Sequence, residues 1–307
     1  MIEVSELGEK VKASLERLKA FEPEEGYYLA FSGGKDSVVC KALLEEAGCK
    51  YDATYRVTSV DPPELVRFIK EKHPDVVREV PRYDDGKPIT MWNLIPKKLM
   101  PPTRLVRYCC QYLKESGGDG RKTVTGVRWA ESTNRKANQG MVTILKKNKQ
   151  IIQDLSENKD FLSTIRGGVV LTNDNEESRR MVENCYKRTK VTINPIIDWE
   201  DSEVWEYIKA NNIPYCSLYD EGWQRLGCIG CPMARQHGRE KEFLRWPKYK
   251  NAYLLAFEKM LEERKKKGKL SADSKMGMTA QSVYNWWMEY DVLPGQINLF
   301  EDYEEDD

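Results

Sequence analysis

The stretch YYLAFSGGKDSVVCKALLEEAG, residues 27–48, constrains this chain more than any other. Tyr27 to Phe31 form a short apolar and aromatic run that reads as a buried strand. Ser32-Gly33-Gly34-Lys35-Asp36-Ser37 follows at once as a turn, and Val38, Val39, Ala42, Leu43 and Leu44 then recur at helical spacing up to Gly48. A strand passing through a glycine turn into a helix opens a parallel α/β unit, because parallel strands need a crossover and a helix supplies it. The pattern repeats: YDATYRV (51–57) reads as a strand, PPELVRFIKEKH (62–73) as a helix begun by Pro, DVVREV (75–80) as a strand, and KTVTGV (122–127) as a strand running into Arg128. An earlier helix is expected over 8–20. The fold class expected is α/β, a doubly wound, mostly parallel sheet whose ligand crevice lies at the carboxyl ends of the strands.

The glycine turn also has a chemistry. A glycine pair after a strand lets successive backbone N–H groups point at one spot, and the following helix aims its positive dipole end there. Lys35 adds a mobile cation, and Ser32 and Ser37 add hydroxyls. Together they predict a cradle for phosphate or pyrophosphate. It is not a Walker A loop, which needs four residues between the first Gly and Gly-Lys-Ser/Thr.

Later segments read differently. Residues 137–190 form an insertion, with a strand expected at GGVVL (167–171) and a turn and helix start at TNDNEES. From Asp201 the signal is helical: DSEVWEYIKANN places Val204, Trp205 and Ile208 on one face, and further helices are expected over 239–266 and 279–290. The division expected is an α/β nucleotide-binding domain over 1–199, then a mainly helical region over 200–307.

The chain has 307 residues with 49 Lys plus Arg against 49 Asp plus Glu. That balance argues against a surface coated in positive charge but leaves room for a local basic groove. The runs LKKNKQ (145–150) and ERKKKGK (263–269) read as solvated faces, and the acidic FEDYEEDD end reads as disordered. No apolar run approaches a membrane span, and MIEVSELGEK has no secretory pattern, so a cytoplasmic protein away from membranes is expected. There its eight cysteines are thiols, metal ligands or buried apolar groups rather than disulfides. The two histidines, His73 and His237, read as surface or loop residues, with no acid–base triad around them.

Two cysteine pairs stand out. Cys109 and Cys110 are adjacent in VRYCCQYLKE, where a disulfide would be strained. Cys228-Ile-Gly-Cys231 is a CxxC pair. Four thiolates suit a tetrahedral Zn²⁺ or a [4Fe–4S] cluster. An adjacent pair is unusual for zinc, so the set leans toward the cluster, with zinc as the alternative. Cys40 and Cys49 read as packing residues, whereas Cys185 and, better placed, Cys216 are candidate free thiols.

SGGKDS resembles the PP-loop motif of the ATP pyrophosphatase superfamily. With CC and a distant CxxC behind it, the chain resembles the phosphoadenosine/adenosine phosphosulfate (PAPS/APS) reductase family. TGVRWAESTNR (125–135) is similar to that family's GxRxxxSxxR segment, VDPPE (60–64) to the segment beside the nucleotide, and residues 194–232 to its NPL…W…DVWxYI…GCxxC block. The resemblance implies an adenine nucleotide (ATP, PAPS or APS) with Mg²⁺, held by Ser32, Gly33, Gly34, Lys35, Asp36, Ser37, Asp61, Gly126, Arg128 and Arg135. It implies catalytic roles for Lys35, Arg128 and Lys114, and metal ligation by Cys109, Cys110, Cys228 and Cys231. Lys114, one helical turn beyond Cys110, is expected to link the thiols to the phosphates.

The departures shape the function expected. The xxRK after the family's paired cysteines reads Gln111-Tyr112-Leu113-Lys114, so the lysine is kept and the arginine lost. Cys216 replaces the Asn after Pro-Tyr, and no cysteine follows Cys231, where the reductases carry a nucleophilic ECGxH thiol. The first reading is therefore ATP cleavage or adenylyl transfer at the α-phosphate. A reductase with a non-standard nucleophile and a non-catalytic nucleotide-binding accessory protein are the alternatives. Relatives with a PP-loop, four cysteines and no reductase tail act in sulfur insertion into DNA or tRNA, and similar genes travel with mobile elements and type IV CRISPR loci. The resemblance thus implies a nucleic-acid substrate or a sulfur- or electron-donor protein as partner, and leaves a homodimer open.

Overall fold

Eight strands form one sheet in the order β3-β2-β1-β4-β8-β5-β7-β6. The structure is a computed structural model, and it describes residues 6–118, 120–145, 149–165, 168–172, 181–182, 190–270 and 276–290. The strands are β1 (Tyr27–Ala30), β2 (Tyr51–Arg56), β3 (Val77–Glu79), β4 (Thr123–Val124), β5 (Val142–Leu145), β6 (Phe161–Ser163), β7 (Val169–Leu171) and β8 (Lys190–Ile193). β3, β2, β1, β4 and β8 run parallel, and β5, β7 and β6 extend the sheet antiparallel from β8. The fold is therefore the expected α/β type with a mostly parallel, mixed sheet. The chain leaves β1 toward β2 on one side and reaches β4 on the other, so the crevice at the carboxyl ends of β1 and β4 is the point where strand order reverses.

The helices that support this crevice are α1 (Glu6–Ala20), α2 (Lys35–Ala47) and α3 (Pro63–Lys72). α2 buries Val38, Val39, Leu43 and Leu44 and ends on Gly48 in the left-handed conformation, as the sequence pattern predicts. His73 is not a surface residue. It ends α3 and is buried against the rings of Phe31 and Phe68, 4.9 and 5.2 Å away, because the chain must turn inward there to reach β3. The strand GGVVL is present as β7 and becomes part of the main sheet; the helix start expected after Thr172 lies outside the described residues, as do Cys185 and the acidic end.

The chain divides into two compact units, Met1–Pro88 with Tyr112–Gly227, and Ile89–Gln111 with Cys228–Asp307. The division thus falls elsewhere than between residues 199 and 200. The helix Asp201–Ala210 stays with the sheet, where the Tyr207 hydroxyl donates to Glu46 on α2 at 2.6 Å. Val204, Tyr207 and Ile208 form its buried face, while Trp205 is half-buried and meets Tyr215 and Tyr219 edge to face.

The second unit is helical. α4 (Met91–Lys98), begun by a capping box on Thr90 and Asn93, packs along the helix Pro247–Lys266. Phe243, Tyr253, Phe257 and Trp287 form its aromatic core, and Arg239, fully buried, donates to the Trp287 carbonyl at 2.5 Å. The single helix expected over 239–266 is two, Arg235–Arg245 and Pro247–Lys266. Pro247 disfavours helical geometry at Trp246, which sits at φ −127°, ψ 68° and breaks the run.

Candidate functional site

The Ser32–Ser37 loop is built on one glycine that no other residue could replace unchanged. Gly33 has φ +74°, and a Cβ there would lie 2.8 Å from Ile69 Cδ1 of α3. This lets the backbone fold back so that the Ser37 hydroxyl donates to the Gly34 carbonyl at 2.9 Å and accepts from the Ser32 amide at 3.3 Å. At the start of α2 the Gly34 amide donates to the Ser32 hydroxyl at 3.4 Å and the Lys35 amide to the Tyr219 hydroxyl at 2.9 Å.

Lys35 and Arg128 are buried cations, 6% and 2% exposed, and they share one carboxylate oxygen. Asp201 Oδ1 lies 3.0 Å from Lys35 Nζ and 2.8 Å from Arg128 Nη2. Lys35 Nζ also donates to the Gln224 carbonyl at 3.2 Å, and Arg128 Nε to Asp36 at 2.7 Å. Burial acts to raise the Asp201 carboxyl, but the hydrogen bonds and charges of Lys35 and then Arg128 outweigh it and hold the group below its ordinary value. Gly126 makes this possible: its missing Cβ would lie 2.8 Å from the Asp36 backbone, so β4 leaves the sheet directly against the first turn of α2.

Arg135, on the helix Thr133–Asn138 (α6), pairs with Glu131. Burial, and after it the nearness of Arg225 and Arg128, hold its guanidinium below its ordinary value, so it belongs to the same group of charges. Asp61 does not. It is buried after β2, where it accepts from the Tyr55 hydroxyl at 2.5 Å and the Thr58 amide at 3.3 Å and shapes the loop. Lys114 is exposed on the turn after the helix Tyr108–Leu113 (α5). Asp201, Tyr219 and Gln224 escaped the sequence reading. They lie within the segment 194–232, but no spacing rule there marks an acid or a hydroxyl that reaches back to the loop.

In the second unit, Cys109 and Cys110 sit on α5 and Cys228 and Cys231 on a loop, all half-buried. The hydrogen bond to Cys110 comes first, then burial, then the charges of Cys110, Cys228 and Cys231, and together they push the Cys109 thiol far up. The two pairs, separated by more than a hundred residues, are thus neighbours. Gly230 turns the CxxC loop at φ +74°, the Tyr253 hydroxyl donates to the Ile229 carbonyl at 2.9 Å, and the Gly230 amide donates to Glu242 at 2.6 Å. Among the described residues no three His, Cys, Asp or Glu side chains are arranged to hold a single metal ion. Cys216 is 1% exposed and burial raises its thiol, while Cys40 and Cys49 are buried on and after α2.

Residues 26–234 match the model of the phosphoadenosine phosphosulfate reductase domain, and the chain belongs to that family. An uncharacterized protein of Methanocaldococcus jannaschii is 24% identical over 73% of this chain and 40% of its own length. The adenosine 5′-phosphosulfate reductase of Neisseria meningitidis serogroup A is 43% identical over 53 residues, which are 17% of this chain and 22% of that protein. The chain thus spans less than half the length of the first curated relatives it matches. Among solved structures, phosphoadenylyl-sulfate reductase of Candida auris in its phosphate complex covers 74% of this chain and 96% of its own, at 14% identity and TM-score 0.40. No helix among the described residues is long and apolar enough to cross a membrane.

Proposed function

We propose that this protein binds an adenine nucleotide with its phosphates on Ser32–Ser37 and cleaves it at the α-phosphate, releasing pyrophosphate. The observation that carries the reading is the pair of buried cations, Lys35 and Arg128, held on one Asp201 oxygen at the start of α2. Two desolvated cations beside helix N–H groups suit the charge that grows on a departing pyrophosphate. An acceptor oxygen attacks the α-phosphorus, forming one P–O bond. The P–O bond to the β-phosphate breaks, its electron pair leaves with pyrophosphate, and the acceptor's proton passes to solvent. Lys35 and Arg128 meet the leaving group, Arg135 orients the phosphates, and Tyr219 gives up the Lys35 amide as they enter.

Asp36 and Asp201 are carboxylates that would offer Mg²⁺ oxygen ligands alongside substrate phosphates, and the ion would neutralise phosphate charge there. The four thiols are a donor set of the kind that holds iron and sulfur. The adjacent pair Cys109 and Cys110 suits the wider [4Fe–4S] cluster better than Zn²⁺, and a cluster would supply a brace or a relay of electrons or sulfur. The buried, protonated Cys216 weighs against a displaced reductase nucleophile. The acceptor decides among sulfur transfer, nucleic-acid modification and an accessory role to mobile elements.

The test is anaerobic incubation with α-labelled ATP and separately with each sulfonucleotide, reading AMP, pyrophosphate and sulfite. Pyrophosphate release lost in Lys35→Ala supports the reading. Release that survives in that variant, or sulfite without pyrophosphate, overturns it. Iron and acid-labile sulfide in the anaerobic protein support the cluster; zinc in their place removes it.

A further inference from the structure

A chain of zero formal net charge distributes that charge unevenly. In the second unit, residues 89–111 and 228–270 hold sixteen Lys and Arg against five Glu, while nine of its fourteen acidic residues fall after position 270. On the helix Pro247–Lys266, Lys248, Leu255, Lys259 and Lys266 are spaced seven, four and seven apart, which places them on one face, and all four are exposed. Lys266 pairs with Glu263 at 2.8 Å, and Glu258 and Glu262 flank the stripe.

A lysine stripe alone is ordinarily a solvated helix face. This one borders a groove of about 190 Å³ lined by Trp92 of α4 and by Ala252, Leu255, Ala256 and Lys259. Leu255 stays 58% exposed, and Trp92 is half-buried with its ring 5.1 Å from Tyr253 and 6.4 Å from Tyr249. A face that served only solvation needs neither an open leucine nor an accessible indole. A groove that holds Lys259 and the Trp92 indole, with Lys248 further along the same helix face, offers the two parts that single strands use, one for the phosphates and one for a base.

We propose that this groove binds single-stranded nucleic acid, with Lys248 and Lys259 along the backbone and Trp92 with Tyr249 as the stacking platform. The exposed lysines along the helix select a polyanion, and the Trp92 indole selects one that offers flat bases. The inference concerns the second unit alone and does not depend on nucleotide cleavage in the first.

The test is anisotropy of labelled single-stranded DNA and RNA against the full-length protein across a salt series. Binding is expected to weaken as salt rises, and Lys248→Glu with Lys259→Glu is expected to weaken it about tenfold or more and lower the salt slope by about two. Both lysines are exposed, so the double variant folds, which its unfolding transition checks; Leu255→Glu, equally exposed, is expected to weaken binding as well. Lys35→Ala should bind the oligonucleotide as the parent does. No binding at low salt, an unchanged double variant, or loss of binding in Lys35→Ala would each overturn the proposal. So would an acidic peptide that competes as well as the oligonucleotide, because the surface would then be one for an acidic protein.

Discussion

The phosphate loop and the CxxC loop turn by the same device and are embedded in opposite surroundings. Gly33 and Gly230 both sit at φ +74°, and a Cβ on either would collide with its neighbours. At Gly33 those neighbours are the ends of Ile69 and Leu65, flexible aliphatic tips on α3. At Gly230 they are the rings of Tyr253, Phe243 and Trp287, at 2.8, 2.9 and 3.1 Å, locked in an aromatic core. The first loop is left room to rearrange and is surrounded by charges already paired. The second is clamped, so its thiols are held at fixed places.

This contrast can be broken by substitution. Gly230→Ala is expected to cost about 3 kcal/mol or more of stability, from left-handed backbone strain plus overpacking against rings that cannot yield. Gly33→Ala should cost about 1–2 kcal/mol, since the tips of Ile69 and Leu65 can shift. Paired chemical denaturation measures both, and equal losses would erase the distinction. Lys35→Ala comes next: it is expected to lower pyrophosphate release about 100-fold, roughly 2.7 kcal/mol of barrier, with little change in unfolding midpoint.

Smaller effects sharpen the same comparison. Cys216→Ala is expected to leave pyrophosphate release within about twofold and to cost about 1 kcal/mol or less, as a small buried group lost from packing. Asp201 gives the smallest. Its carboxyl is held below the ordinary value, so its ion pairs contribute stability above the usual carboxylate pKa, and that contribution is lost as pH falls through the depressed value. The side chain is 58% exposed, which limits the contribution to under about 1 kcal/mol. Asp201→Asn should therefore flatten the acid limb of stability against pH, leaving stability at pH below both values unchanged.

Much of the first unit was legible because its signals are local. Strand, glycine turn and amphipathic helix are contiguous over 27–48, and β1, α2, β2 and α3 stand where periodicity placed them. Arg128 and Arg135 were readable from a short motif that follows a strand, and they lie among the charges beside Asp36. Asp61 entered the sequence reading as a nucleotide contact implied by the resemblance, not as a loop brace, since only the fold brings Tyr55 and Thr58 around it. The helix break at Trp246 was written in Pro247 and overlooked in favour of the longer periodic run.

The sequence by itself determined the α/β class, the glycine turn that carries β1 into α2, and the two cysteine pairs. These follow from contiguous residues whose backbone preferences act within a few positions. Only the tertiary structure decided that Asp201 ties Lys35 to Arg128, that Cys216 is closed to solvent, and that residues 89–111 join the helical unit rather than the sheet. Those outcomes depend on which surfaces meet across many tens of residues, and burial and charge act through space rather than along the chain.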